Sequence, residues 1–450
     1  MLVCHILFYF IVSSRNFIIK NIAGYQVYDS RGRPTVEACV VLESGVTATA
    51  IAPSGASVGS MEAVELRDKS RTGLGSVATA VKNISTKINK HLSGMDVRFQ
   101  TEIDEALILL DGTNNKSILG GNAILATSLA VARVASISSE KSLYNYLGGL
   151  NATVLPVPMM NFINGGVHAD NSLDIQEFMI MPVRATSFSD AILMASEILY
   201  VLRDLLKTKN LSTSVGDEGG FAIDINVAES ALDLLMVAID KAGYTAGEDI
   251  LLSIDVAASE LYKGGLYNFK GEGEQMNHQR LVSYYRSLLR NYPIFSIEDP
   301  CSEHDISGFQ LITKTFGEQV QIVGDDVFAT NADLLQEGIL KGVCNALIIK
   351  PNQIGTITET LDTIRVAKTH GYQTIASHRS GETEDSTIAH LAVGFGCYQI
   401  KAGSLARTDR VVKYNELLRI EREIGRMSMY AGQEVLRQYR KFRKNITDRN

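Results

Sequence analysis

The sequence predicts an α/β chain: an N-terminal α+β unit followed by a (β/α)8-type, TIM-like barrel. Three observations carry that prediction. First, six apolar runs (251–254, 294–297, 320–324, 346–349, 374–377 and 397–400) each stop on an ionisable residue: Asp255, Glu298, Asp325, Lys350, His378 and Lys401. The runs show no helical stripe and no alternation, so each reads as a strand buried on both faces. Second, after a first step of 43 residues the stops recur every 23–28 residues. That spacing holds one strand, one crossover helix and two short loops, and parallel strands with ionisable C-terminal ends are how a barrel with an active site reads in sequence. Third, 450 residues exceed what one small core organises, so two domains are expected.

Taken in order, residues 1–16 read as an extension. Residues 2–12 are mostly apolar, interrupted by His5, like the h-region of a secretory signal. A basic n-region and a small-residue cleavage site are lacking, and the run is too short to span a bilayer. An extension without a targeting role is the expectation. From Phe17 the composition is that of a folded domain. Residues 24–29 lead into the turn Ser30-Arg31-Gly32-Arg33-Pro34, and 35–42 and 46–52 read as antiparallel strands joined at Glu43-Ser44-Gly45. The small-residue loop 53–60 supports two readings, a flexible connector or a lid over an anionic or metal-bound ligand. Helical spacing marks 76–92 and 122–137, with turn chemistry at 111–115. Residues 17–150 therefore form the α+β unit.

The prolines of 155–158 mark the boundary to a barrel over 151–432. His168 lies in the glycine loop 165–170, Gln176 and Glu177 in the strand-like 174–180, and Glu218 in the glycine turn 215–220. Singly, each carboxylate pair is as well explained by a solvated turn, and His168 by a structural role. Helices are expected over 227–242, 278–291 and 356–370. The basic segment 433–450 reads as a solvated amphipathic tail.

A net charge of −7 argues against general nucleic-acid binding, and the five scattered cysteines suit buried thiols in a reducing compartment. Asp255, Glu298 and Asp325, at the tops of three strands of one sheet, form an all-oxygen set suited to Mg²⁺. Clustered carboxylates repel unless a cation joins them. Lys350 and Lys401 opposite that metal face an anionic substrate. Arg379 is the natural phosphate clamp because its planar fork binds two oxygens at once. A lysine near metals and a second cation is expected to have a depressed pKa and to serve as a base.

Several segments then carry a family resemblance: Val215-Gly216-Asp217-Glu218-Gly219-Gly220-Phe221, the stretch 174–180, Ser377-His378-Arg379-Ser380-Gly381-Glu382-Thr383-Glu384-Asp385, 350–355, Ser54-Gly55-Ala56-Ser57, 29–32, 122–125 and 407–421. Over residues 17–432, in unbroken order, the chain resembles the enolase family. The resemblance implies a barrel of enolase type with atypical first elements, and Mg²⁺-dependent, reversible dehydration of 2-phosphoglycerate to phosphoenolpyruvate in glycolysis and gluconeogenesis. It implies Lys350 as the base at C2, Glu218 as the acid at the C3 hydroxyl, Glu177 assisting beside it and His168 closing on the substrate. Gln176, His378, Arg379, Ser380 and Lys401 would bind the substrate. Two Mg²⁺ are implied, one on Asp255, Glu298 and Asp325 and one reached by Ser57. A cytoplasmic homodimer or larger homo-oligomer is implied, with a secondary cell-surface or secreted pool and no nucleic-acid or membrane partner. Ile306, His390 and Tyr398 depart from the family pattern without touching a role-bearing position.

Two rivals stand beside this reading. Another member of the superfamily, an acid-sugar dehydratase or racemase, would share the three-carboxylate site, but 377–385 and the lid serines argue against it. A retired surface-binding protein would have lost catalytic side chains that are all present here, whereas a second, moonlighting binding role is compatible with them.

Overall fold

Alternation decides the N-terminal sheet. In the strand Pro34–Leu42 (β2), Val36, Ala38, Val40 and Leu42 are fully buried, and most residues between them are partly exposed. This computed structural model describes residues 16–447 apart from 57, 58 and 72, so the expected extension (to residue 15) and the lid residue Ser57 lie outside the described residues. β2 is the central strand, flanked antiparallel by Ile19–Tyr28 (β1) and Thr47–Ile51 (β3). β1 includes the segment read from sequence only as a lead-in to the turn. Its irregular burial explains why a search for alternation passes over it.

The helix Gly121–Ser138 covers this sheet. By length and composition it could cross a membrane, but it is buried along most of its length as the core helix of the N-terminal unit. The helix expected over 76–92 is present as Ala78–Asn83, a π-helical turn Ile84–Ile88, and Asn89–Leu92. It is tied to β1 by side chains that accept from backbone N–H groups, Ser85 from Gly24 and Asn89 from Ile22.

Eight strands close the barrel: Val157–Asn164 (β4), Glu177–Pro182 (β5), Ile250–Asp255 (β6), Ile294–Glu298 (β7), Gln321–Gly324 (β8), Ala346–Ile349 (β9), Gln373–Ser377 (β10) and Gln399–Lys401 (β11). β11 pairs in parallel with β4, Gln399 opposite Val157, which completes the ring. β5 runs antiparallel to both its neighbours and the remaining pairs are parallel, so the first elements are atypical as expected. The six apolar runs of the sequence are β6 to β11. Each ionisable stop sits at the C-terminal end of its strand or one residue beyond.

The segment from residue 433 does not behave as a solvated tail. The helix Gly432–Thr447 is basic outward, but Val435, Leu436, Tyr439 and Phe442 are buried against the barrel strands. Phe442 meets Phe295 of β7 with ring centroids 6.1 Å apart. The arginines and lysines that suggested solvation occupy only the outer face of an amphipathic helix. It stops the barrel's N-terminal mouth.

Candidate active site

The barrel mouth at the C-terminal ends of the parallel strands gathers nearly all the residues picked out from sequence. His168, Gln176, Glu177, Glu218, Asp255, Asp325, Lys350, His378, Arg379, Ser380 and Lys401 line one cavity, with Gly55 and Ala56 from the lid loop above. Glu298 lies against this cavity through Lys401, whose Nζ is 2.9 Å from both of its carboxylate oxygens. The same ammonium is 2.7 Å from Asp255 Oδ2 and 3.2 Å from Glu177 Oε1. Lys350 donates to Asp325 Oδ2.

These pairs overturn one expectation. Burial disfavours the charge on Lys350, but the contact with Asp325 outweighs it and holds the lysine above its ordinary pKa. The sequence argument weighed neighbouring cations. In the structure a carboxylate in hydrogen-bond contact decides the sign. Lys401 is raised for the same reason, burial being outweighed by Asp255, Glu177 and Glu298.

Glu177, Glu218 and His168 form a second group whose ligand-type atoms all lie within 4.8 Å of one another. His168 Nδ1 sits between the two carboxylates, 3.7 Å from Glu177 and 3.6 Å from Glu218. Burial and the charge of Glu218 push Glu177 up. Burial also opposes ionisation of Glu218, but His168, His378 and Arg410 outweigh it and hold that carboxyl down. Their pKa values are driven apart, Glu177 up and Glu218 down, as the environments of a coupled pair can do. Such a pair can pass a proton through or beside His168.

His378 turns toward this dyad, with Nε2 3.3 Å from Glu218 Oε1. The fully buried Arg410 donates to its Nδ1 at 2.6 Å. A guanidinium only donates, so Nδ1 is unprotonated and Nε2 carries the hydrogen. Burial, reinforced by Arg410, takes the His378 pKa down to about 4. Sequence reasoning missed Arg410 because it lies in the first turn of a helix, Thr408–Ile424, within a charged stretch. Lys413, also fully buried, binds Glu382 at 2.8 Å and the Thr383 carbonyl at 2.7 Å, which fixes the loop carrying Arg379.

The lid loop is strapped to that loop. Ser54 and Gly381 exchange backbone hydrogen bonds at 2.8–2.9 Å, and Ala56 N–H donates to Ser380 Oγ at 2.6 Å. Arg31 reaches across to the Gly55 carbonyl at 2.9 Å, while Asp29 orders the turn below by accepting from Arg31 and Arg33 N–H. These contacts favour the lid reading over the connector reading.

The donor chemistry fits a hard cation. Besides Asp255, Glu298 and Asp325, the cavity edge carries Asp299 and Asp326, two carboxylates that sequence reasoning passed over as neighbours of the strand stops. Asp299, Asp325 and Asp326 offer oxygens within 4.8 Å of one another. Burial and then Asp255 push Glu298 up to about 8; burial and then Asp325 push Asp326 up to about 7. Carboxylates raised this far are short of positive charge, and oxygen-only ligands suit a Mg²⁺-type ion.

The departures lie away from this cavity. Ile306 begins the helix Ile306–Phe316, Tyr398 is about one-third exposed, and His390 pairs with Glu416 at 3.2 Å while stacking on Tyr144.

Two family models match the chain. Residues 19–147 match the one described as enolase, N-terminal domain, and residues 152–439 the one described as enolase, C-terminal TIM barrel domain.

Proposed function

From the premise that the chain belongs to the enolase family, both of whose domains it carries, we propose that it interconverts 2-phosphoglycerate and phosphoenolpyruvate with two Mg²⁺ per site. The observation that carries this reading is that one cavity brings together a buried carboxylate cluster, two lysines, the Glu177–Glu218–His168 group and a buried arginine. Bound Mg²⁺ would supply positive charge beside the substrate carboxylate as negative charge develops there. Asp255, Glu298 and Asp325 would hold the first ion, and Asp299 and Asp326 flank that set. Ser57 on the lid would reach the second.

Lys350 takes the C2 proton. To do so it must be neutral; Asp325 holds it above its ordinary pKa, and once that carboxylate's charge is offset by bound Mg²⁺ the ammonium can release its proton to solvent. Lys401 keeps a fixed positive charge on the carboxylate side. Glu218 delivers a proton to the departing C3 hydroxyl, with Glu177 assisting beside it and His168 between them. Neutral His378, its tautomer set by Arg410, turns Nε2–H toward Glu218 and orients it. Arg379 and Ser380 take the phosphate, and Gln176 contacts the substrate from the end of β5. The lid excludes water once the substrate is seated.

The test is formation of phosphoenolpyruvate from 2-phosphoglycerate, followed by its ultraviolet absorbance, with chelator and after Mg²⁺ is restored. Loss in chelator and recovery with Mg²⁺ are expected. Full turnover in excess chelator would remove the metal, and turnover of an acid sugar in place of 2-phosphoglycerate would move the chain to a different reaction of the superfamily.

A further inference from the structure

Arg379 is not presented to the cavity alone. Its Nη1 lies 2.8 Å from Glu62 Oε2 and its Nη2 3.2 Å from Glu62 Oε1, a two-point pair with both side chains almost wholly buried. Glu62 comes from the N-terminal unit, 317 positions away in sequence. Its Oε1 also accepts from the lid's Gly59 N–H at 3.1 Å and from Gln353 Nε2 at 3.4 Å. Gln353 Nε2 donates in turn to Asp325 Oδ1 at 2.9 Å. One carboxylate thus touches the lid, the phosphate arginine and the residue that braces a metal-site aspartate.

We propose that Glu62 is a positioning residue for the phosphate end of the substrate: it fixes the plane of the Arg379 guanidinium and ties that plane to the lid through Gly59. The inference rests on the reading of Arg379 as a phosphate ligand. Bidentate recognition depends on the plane of the fork, and an arginine that can rotate loses much of its advantage over lysine. Asp325 and Asp326 are the next anions acting on Arg379 after Glu62. Without Glu62 the guanidinium is drawn toward those carboxylates and away from the phosphate. The pair also removes a conflict, since a buried, uncompensated arginine would compete with the cation for the acidic cluster.

The experiment titrates the full-length protein with inorganic phosphate by calorimetry, in the presence of Mg²⁺, for wild type, E62Q, E62D, R379K and E62Q/R379K. Circular dichroism checks the fold of each. E62Q is expected to weaken phosphate binding by about tenfold or more, the scale of a lost charged hydrogen bond. Saturating Mg²⁺ keeps the metal loaded in every variant, and E62D should recover part of the loss. Because Glu62 acts through Arg379, the double variant should bind phosphate no worse than R379K alone. In turnover the loss should fall on KM. Unchanged or tighter phosphate binding in E62Q, or additive losses in the double variant, would overturn the inference while leaving Arg379 as the phosphate ligand. Wild-type phosphate affinity in R379K would remove the phosphate reading itself, and the role of Glu62 with it.

Discussion

Lys350 and Glu218 line one cavity, each with partners that shift its charge: Asp325 for the lysine, and His168, His378 and Arg410 for the glutamate. The two steps of the proposed reaction should therefore separate in single variants. With Glu218→Gln, Lys350 is intact, so exchange of the C2 proton with deuterated solvent should continue while product formation falls roughly 10²–10⁴-fold. With Lys350→Ala, exchange and turnover should fall together. Wild-type exchange by the Lys350→Ala variant would pass the base role to another group, Lys401 being next. At this scale the sequence was legible wherever a functional residue ended a strand, and for some of the residues inside motifs. Glu62, Asp299, Asp326, Arg410 and Gln353 were hidden because their role comes only from tertiary neighbours. The sign of the Lys350 shift was hidden too, since it depends on a contact between residues 25 positions apart.

At the scale of elements, period and spacing did well where burial is uniform. The barrel strands β6 to β11 and the helix His278–Asn291 stand where the pattern placed them. They failed where one face of an element is charged and the other hidden. The helix Gly432–Thr447 looked solvated because its basic residues dominate the composition, but the spacing of Val435, Leu436, Tyr439 and Phe442 made the apolar stripe. Phe442→Ala should destabilise the protein by about 3 kcal/mol, the low end for a buried phenylalanine because a terminal helix can shift to fill space. It should leave kcat untouched, since it lies at the mouth of the barrel opposite the site. A lowered thermal midpoint with normal turnover is the expected pair of results. A fall in kcat at a temperature where the variant is folded would mean the plug reaches the chemistry.

The whole molecule is held together partly by polar contacts across its two units. Asp104, fully buried in the helix Gln100–Asp111, accepts from Thr358 N–H at 3.0 Å at the start of the barrel helix Ile357–Thr369. Arg133 reaches Asp385 at 3.0 Å, and Lys116 reaches Glu359 at 2.8 Å. Burial raises the Asp104 carboxyl from 3.8 to about 6, its hydrogen bonds offsetting only part of the effect. Between those values the unfolded chain binds fewer protons than the folded one. Asp104's contribution to stability is therefore fully present below pH 3.8, declines as pH rises, and reaches its minimum above about 6. The change is about 3 kcal/mol at 1.4 kcal/mol per unit. Asp104→Asn removes it, so the difference in thermal midpoint between wild type and variant should move against the wild type from pH 4.5 to 7.5. A difference that is constant with pH would show that Asp104 does not titrate in this window. No sequence pattern announced this seam, because Asp104 sits beside Thr101, Glu102 and Glu105, which face water on the same helix.

The closure of the barrel by β11 on β4 has a consequence for how the chain is made. Gln399 of β11 bonds Met159 of β4 across a separation of 240 residues, and all eight residues of β4 are buried in the finished protein. During synthesis at about 5–20 residues per second, one edge of β4 waits roughly 10 to 50 seconds for its partner. For that interval the nascent chain carries an apolar strand edge open to other chains, and the plug helix emerges later still. The time between ribosome exit and ring closure is thus the span in which holdase protection would matter most to the yield of native protein.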